Sequence, residues 1–244
     1  MVDIHCHILP GIDDGSPDME SSVTMARDAA KSGVTTLIAT PHCNIPGAEF
    51  FNYKSDELTD RFREFSDIIR AENIPLQILP GAEIFATEDI SDLIRREKLP
   101  TLAGSRYLLT EFYFDENPAF MNRTFRQIRS LGLIPVIAHP ERYEAVQDDP
   151  ILAAEWFETG YIIQVNKGSI LGSLGGRSQK ASHWLIERGL VHAVASDAHG
   201  TRHRTADMSE ILNELIRISS PEYAEILLEI NPQRIASDKP VMEA

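Results

Sequence analysis

The sequence predicts a single α/β domain, a closed or nearly closed barrel of parallel strands with helices packed outside. Apolar runs alternate with amphipathic helical stretches about seven times, as expected of parallel strands joined by crossover helices. His, Asp and Glu residues recur where those runs end, and barrels of this kind build their active sites at the C-terminal ends of strands. A doubly wound open sheet is the competing architecture. The glycine-rich phosphate-binding turn it would place after the first strand is missing.

The first strand carries Asp3-Ile4-His5-Cys6-His7. Alternation puts Asp3, His5 and His7 on one face, with Ile4 and Cys6 on the other. Two imidazoles so placed can hold one metal ion, with Asp3 orienting one of them. A turn-rich segment at 10–17 follows, then helical spacing over 19–32 that stops at Gly33. The second strand, 34–39, ends in Thr40-Pro41-His42-Cys43, and a loop with Phe50, Phe51 and Tyr53 leads to a helix over 55–72. The third strand, 74–79, runs into Pro80-Gly81-Ala82-Glu83, and a short helix at 90–96 precedes the strand ending in Glu111-Phe112. A helix over 119–130 leads to the strand ending in His139-Pro140-Glu141-Arg142. Helix 151–158, strand 161–165 into Asn166-Lys167, and helix 179–188 come next. The last strand, 190–195, ends in Ser196-Asp197-Ala198-His199, and helices over 206–218 and 221–230 close the chain. Residues 1–237 are expected to form the domain and 238–244 a polar tail, loose after Ser237.

Composition narrows the function. A net charge of −14 argues against nucleic acid as a bulk partner, and no apolar stretch is long enough for a membrane span. The first strand begins at residue 3, which leaves no room for a signal peptide, and two cysteines fit a reducing compartment, so a cytoplasmic protein is expected.

The strand-end residues are His5, His7, Asp14, His42, Glu83, Glu111, His139, Asp197 and His199. Singly, each has a plainer role as a turn residue, rim charge or helix cap. Together they form a nitrogen–oxygen ligand set suited to Mn, Zn or Fe, and too large for one ion, so two or three ions are implied. Asp14, Glu83, Glu111 and Asp197 do not cancel the charge of three divalent ions. That surplus, with Arg142 beyond His139 and Arg202 and Arg204 beyond His199, suits a phosphate dianion. Asp13 stays ambiguous beside Asp14, and His183, His192 and His203 read as surface or core histidines.

The segments Asp3-Ile4-His5-Cys6-His7, Thr40-Pro41-His42, Gly81-Ala82-Glu83, Glu111-Phe112, His139-Pro140-Glu141-Arg142 and Ser196-Asp197-Ala198-His199 resemble, in order, the PHP (polymerase and histidinol phosphatase) superfamily. Leu9 to Gly15 and the His-Pro-Glu-Arg run are most similar to its capsule-type protein-tyrosine phosphatases, the CpsB/YwqE group. The resemblance implies a distorted (β/α)7 TIM-like barrel and a three-metal, usually manganese-dependent site. By it, His5, His7, Glu83 and Asp197 would hold one ion, Glu83, Glu111 and His139 a second, and Asp14, His42 and His199 a third. Arg142 would bind phosphate together with Arg204, for which Arg202 competes. The implied substrate is phosphotyrosine on a protein, a bacterial tyrosine autokinase that controls capsule or exopolysaccharide synthesis. A histidinol-phosphate or other small-molecule phosphatase is the alternative.

The expected mechanism is direct attack on phosphorus by a hydroxide bridging the metals, with Asp14 or His199, or a metal-bound water near them, helping to protonate the leaving phenolate. Neither cysteine is a nucleophile: the arginine that a cysteine-based phosphatase needs six positions on is Ile12 after Cys6 and Glu49 after Cys43. The aromatics at 50–53 are expected to recognise the phenyl ring on a loop that moves at Pro46-Gly47.

Overall fold

Parallel strands frame the molecule in a computed structural model that describes residues 1–48 and 50–242. They are β1 (Val2–Cys6), β2 (Thr36–Ala39), β3 (His42–Cys43), β4 (Gln77–Pro80), β5 (Glu83–Phe85), β6 (Tyr107–Glu111), β7 (Ile134–Ala138), β8 (Ile162–Asn166) and β9 (Ala193–Ala195). Three of them pair in the order β1-β2-β4 and six in the order β3-β5-β6-β7-β8-β9. Thr40-Pro41 splits one stave into β2 and β3, and Gly81-Ala82 splits the next into β4 and β5. Among the described residues these nine segments therefore make seven staves. Where the staves break, the Pro41 carbonyl still accepts from the Glu83 backbone N–H at 3.0 Å.

The seam closes between the first and last staves. Asp197 N donates to His5 O at 2.8 Å and His7 N to Ala198 O at 2.9 Å, with Cys6 and Ala198 bridged in parallel. The (β/α)7 TIM-like barrel expected of the sequence is the observed fold, distorted at the two broken staves.

Helices α1 (Met19–Lys31), α2 (Asp56–Ala71), α3 (Ile90–Arg95), α4 (Pro118–Ser130), α5 (Glu144–Asp148), α6 (Ile151–Glu158), α7 (Lys167–Ile170) and α8 (Gly176–Ile186) follow their strands, and α9 (Ile211–Ile218), α10 (Pro221–Glu225) and α11 (Asn231–Ala236) close the chain. Their starts are set locally: Asp18, Ser55 and Asn117 each cap the helix that follows, and Pro118 opens α4. No helix among the described residues is long and apolar enough to cross a membrane.

Three expectations need correction. Helical structure begins at Ile211 instead of residue 206, because the Lys167 ammonium takes the Thr205 and Asp207 carbonyls and Asp207 Oδ1 accepts from Ser209 N. The chain is not loose through 238–242. Asp238 pairs with Arg106 at 3.0 Å, the Tyr107 hydroxyl donates to Lys239 O at 2.8 Å, and Met242 bonds through its backbone to Asn231; residues 243 and 244 lie outside the described residues. Alternation along β1 also fails, since its register with β2 shifts between Asp3 and Cys6.

Two apolar clusters hold the barrel. The inner one joins Val2, Ile4, Ile38, Leu109, Val136 and Ile162 and is floored by Leu102 and Ile235. The outer one packs Leu37, Leu108, Ile137, Ile163 and Val194 against helix residues such as Met25, Phe65, Phe125 and Leu185. Phe125 of α4 meets Phe112 and Trp156 edge to face at 5.4 Å each. Full burial of such a ring stabilises by about 1.5–3 kcal/mol, and each aromatic pair adds about 0.5–1.5 kcal/mol.

One histidine ties the outer layer to pH. The Ile163 backbone N–H donates to His192 Nδ1 at 3.0 Å, and the ring stacks on Phe157 at 4.6 Å. Burial pushes this imidazole down to about 4. Above pH 6.5 folded and unfolded chains are both neutral here. Below it only the unfolded chain takes up the proton, so stability falls between about 6.5 and about 4, by at most about 3 kcal/mol at 1.36 kcal/mol per unit. In urea unfolding, the stability advantage of wild type over His192→Gln is expected to shrink across that interval. A pH-independent difference would show that His192 does not set the acid limb.

Candidate metal centre and active site

The C-terminal ends of the staves converge on one buried cluster. His5 Nε2 and His7 Nε2 lie 3.2 Å apart, and Glu83 Oε2 is 3.2 Å from both. Asp197 Oδ1 stands 3.4 and 3.6 Å from the same two nitrogens. His5, His7 and Glu83 thus present ligand atoms close enough to share one ion, and Asp197 Oδ1 lies beside the two imidazoles. Beside them, His42 Nδ1 is 3.1 Å from Glu83 Oε2 and 2.9 Å from Glu111 Oε1, and His139 Nε2 is 2.9 Å from Glu83 Oε1. On the outer side, Asp14 Oδ1 is 3.4 Å from His42 Nε2 and 3.5 Å from His199 Nε2.

The structure thus brings together all nine residues singled out as ligands. It differs in how they group: His42 stands between two groups, one nitrogen toward Glu83 and Glu111 and the other toward Asp14, and His7 joins the group of Asp14, His42 and His199. Glu83 Oε2, Glu111 Oε1, Asp197 Oδ1, His42 Nδ1 and His199 Nε2 are all buried without a partner in hydrogen-bond geometry. An orphaned buried polar atom costs about 1–3 kcal/mol. Several of them aimed at one space, all metal-ligating types, fit divalent cations.

Electrostatics agree. Burial opposes a charge on His5, yet Glu83 and Asp197 outweigh it and raise the imidazole to about 9. His42, also opposed by burial, is raised to about 10 by Glu83 and Glu111. Burial, then the Glu83 charge, pushes Glu111 up to about 7, and burial drives His139 down to about 4. Asp197 is ionised despite burial, because His5 and Arg204 hold its carboxyl below the carboxylate range. The protein alone meets its excess of negative charge by protonating histidines, which is the place a cation takes.

Several supports escaped the sequence reading. Asp3 orients no imidazole: its Oδ1 accepts from the His5 and Ser196 backbone N–H groups. Asp13 does that work for His7, accepting from Nδ1 at 2.8 Å and from His42 N at 2.9 Å, while its other oxygen takes Gly15 N. Its identity beside Asp14 was the only signal available. Gly15 is required here, since a Cβ would fall 2.3 Å from His7 O. His5 Nδ1 meets Gln164 Oε1 at 2.8 Å. His139, Asp197 and Arg204 all adopt left-handed backbone conformations, a strain of about 1–3 kcal/mol each.

Two arginines reach the far oxygen of Asp197: Arg142 Nη1 at 3.3 Å and Arg204 Nη2 at 2.5 Å. Arg142 also lies over the Phe114 ring, 4.4 Å from its centroid. Arg202 is exposed, whereas Arg204 is half-buried and reaches Asp197, so the geometry favours Arg204. Asp14 is ionised at neutral pH, held at about 2 chiefly by the neighbouring His199 imidazole, and stores no proton for a leaving group. His199 turns Nδ1 to the Asp197 carbonyl at 3.1 Å, which aims the Nε2 lone pair at the cluster. Both residues sit in a group that could hold an ion, and their expected role as acids finds no support.

Cys6 and Cys43 are buried thiols pushed up by burial, Cys43 to about 12, and Cys6 packs in the outer cluster. In the 44–53 loop, Glu49 lies outside the described residues. Phe50 lies parallel to His42 at 6.4 Å, whereas Phe51 is 58% exposed and Tyr53 packs on the core with its hydroxyl on Asn44. Phe114, 44% exposed, faces His139 and Arg142 from the opposite side.

Residues 1–237 match the family described as capsular polysaccharide synthesis, CpsB/CapC. The tyrosine-protein phosphatase YwqE of Bacillus subtilis (strain 168) is 38% identical over 233 residues, covering 94% of this chain and 89% of that one. The tyrosine-protein phosphatase CpsB of Streptococcus pneumoniae is 30% identical, covering 98% of this chain and 99% of that one. Among solved structures, one from the study of YwqE and CpsB, described as unique metal-dependent tyrosine phosphatases, superposes with a TM-score of 0.92 at 34% identity, covering 100% of this chain and 97% of that one. The lactonase Lmo2620 of Listeria monocytogenes, at 13% identity and a TM-score of 0.65, shares the fold alone. A barrel with this ligand set, aligned end to end with these proteins, belongs to the CpsB/CapC family.

Proposed function

We propose that the chain is a metal-dependent protein-tyrosine phosphatase that releases phosphate from phosphotyrosine by direct hydrolysis. What carries this reading is one juxtaposition: buried ligand atoms aimed at a common space, with Arg142 and Arg204 beside it on Asp197. His5, His7, Glu83, Asp197, Glu111, His139, His42, Asp14 and His199 would hold two or three divalent ions, Mn²⁺ first and Fe or Zn as alternatives. When bound, such ions supply water activated for attack at neutral pH and positive charge for an in-line displacement.

The protein's own groups do the rest. Arg142 and Arg204 present guanidinium forks to phosphoryl oxygens, and Asp197 Oδ2 anchors both. Phe114 backs Arg142 by cation–π contact. Phe50 and Phe114 flank the site and offer faces to a phenyl ring. Neither Asp14 nor His199 gives a proton to the phenolate, which leaves readily without one. The family's link to capsular polysaccharide synthesis supports a tyrosine autokinase of that system as the protein substrate.

Three outcomes are expected. Stripping metal with a strong chelator should abolish initial rates on a phosphotyrosine peptide, Mn²⁺ should restore them, and histidinol phosphate should be turned over poorly under both conditions. Full activity in protein shown metal-free by elemental analysis, or a preference for histidinol phosphate, would reject the reading.

Arg142→Ala removes charge-assisted bonds of about 1.5–3 kcal/mol each, so kcat/KM should fall by roughly 10²-fold. Arg142→Lys should recover only part of it, because a point charge replaces a fork, while Arg202→Ala should stay near wild type. Equal losses at 142 and 202 would argue that the clamp is misassigned.

Stacking is worth about 0.5–1.5 kcal/mol, so Phe50→Ala should lose roughly three- to tenfold in preference for a phosphotyrosine over a phosphoserine peptide. Phe114→Ala should in addition slow both substrates, since it frees Arg142. An unchanged ratio in both variants would place ring recognition elsewhere.

A further inference from the structure

β8 is the stave whose end contributes none of the nine candidate ligands, yet its two polar side chains lie at the heart of the site. His5 Nδ1 is 2.8 Å from Gln164 Oε1, Gln164 Nε2 is 2.9 Å from Asn166 Oδ1, and Asn166 Nδ2 is 2.5 Å from Asp197 Oδ2. The run therefore starts at one candidate ligand, crosses β8, and ends at another. All four side chains are buried. The Asn166 backbone N–H is itself held at 3.0 Å by Glu141 Oε1, which also takes the Ser169 hydroxyl at 2.6 Å.

Direction along this run is forced from the Asp197 end. Asp197 Oδ2 already receives two guanidinium groups and can only accept. Asn166 must then turn its amide NH₂ toward Asp197 and its carbonyl toward Gln164. Gln164 must in turn point NH₂ at Asn166 and carbonyl at His5. A carbonyl can only accept, so His5 must carry a hydrogen on Nδ1, which leaves Nε2, facing His7, Glu83 and Asp197, as the nitrogen whose proton an ion would displace. Flipping either amide puts like atoms face to face at hydrogen-bond distance.

We propose that Gln164 and Asn166 are positioning residues: a one-way amide relay by which the Asp197 carboxylate fixes the tautomer of His5, so that Nε2 is free to bind the ion. This rests on the reading of the cluster as a metal centre. It pairs two histidines with different supports, an amide for His5 and the Asp13 carboxylate for His7. Partners of this kind orient the ligand, and their loss typically costs 10–100-fold in metal affinity.

The test uses the full chain loaded with Zn²⁺, which is diamagnetic, and ¹⁵N-labelled at histidine. Long-range ¹H–¹⁵N spectra should show His5 protonated at Nδ1 with Nε2 shifted by the metal. Gln164→Met keeps the volume and removes the relay. It is expected to give mixed His5 tautomers and a roughly 10- to 100-fold loss of Mn²⁺ affinity in chelator competition. Gln164→Glu retains an acceptor for His5 but cannot donate to Asn166. It should keep both the His5 tautomer and most of the Mn²⁺ affinity, and a lost tautomer there would overturn the proposal even where the Met variant does not fold. A merely structural role would lower the unfolding midpoint of the Met variant and leave its tautomer and affinity alone, which would overturn the proposal. So would a wild-type His5 bare at Nδ1, or protonated at both nitrogens with the ion added. A wild-type chain that shows the expected tautomer and binds Mn²⁺ but frees no phosphate from a phosphotyrosine peptide would sink the phosphatase reading and leave the relay standing.

Discussion

A single carboxylate with no solvent exposure, Glu83, organises this molecule. Both its oxygens are turned toward imidazoles, Oε2 to His5, His7 and His42 and Oε1 to His139. An isolated buried anion is prohibitively costly, so the fold must bring positive charge to it or neutralise it. Protein alone does this by holding protons on His5 and His42, where the proposed divalent ions would take their place. The break at Gly81-Ala82 is what delivers Glu83 there: it offsets β5 from β4 and swings the carboxylate to the centre of the barrel mouth.

Asp197 extends that logic to the substrate side. One of its oxygens faces the histidines and the other collects Arg142, Arg204 and Asn166. The residue therefore stands between a region that wants a cation and one that wants an anion. Its backbone is left-handed, a conformation that aspartate tolerates better than most residues, and it places the carboxylate past the end of β9 between the two.

The barrel and the clustering of the nine candidate residues were legible in the sequence because both have strong local signals. Apolar runs end in His, Asp or Glu at the spacing that crossover helices dictate, and the nine ligands stand where those runs stop. What was hidden depends on side chains meeting across staves. Gln164 and Asn166 look like ordinary strand residues until β1 closes on β9, and Asp13 differs from Asp14 only in which way a tight turn points it. The strict alternation expected of β1 failed at a register shift that no single-strand pattern announces. Helix spacing over 206–210 lost to Lys167, whose long stem reaches carbonyls that a helix would have used. The tail was misjudged because its polar residues find specific partners on α11 and at the start of β6.

The seam between β1 and the end of β9 has a consequence for how the chain comes to be. Ser196 N bonds to Asp3, 193 positions earlier in the sequence, and the His5 and His7 backbones pair with Asp197 and Ala198. On a ribosome, β1 must wait until the segment from Ser196 to Ala198 has been made before it finds these neighbours. Until then β1, apolar and half-finished, is an unpaired edge of the kind that invites aggregation. The active centre cannot be assembled piecemeal, because no N-terminal fragment that stops short of Asp197 contains a closed barrel mouth. Closing so distant a pair makes the slow, non-local step of folding and the gathering of the ligands one and the same event.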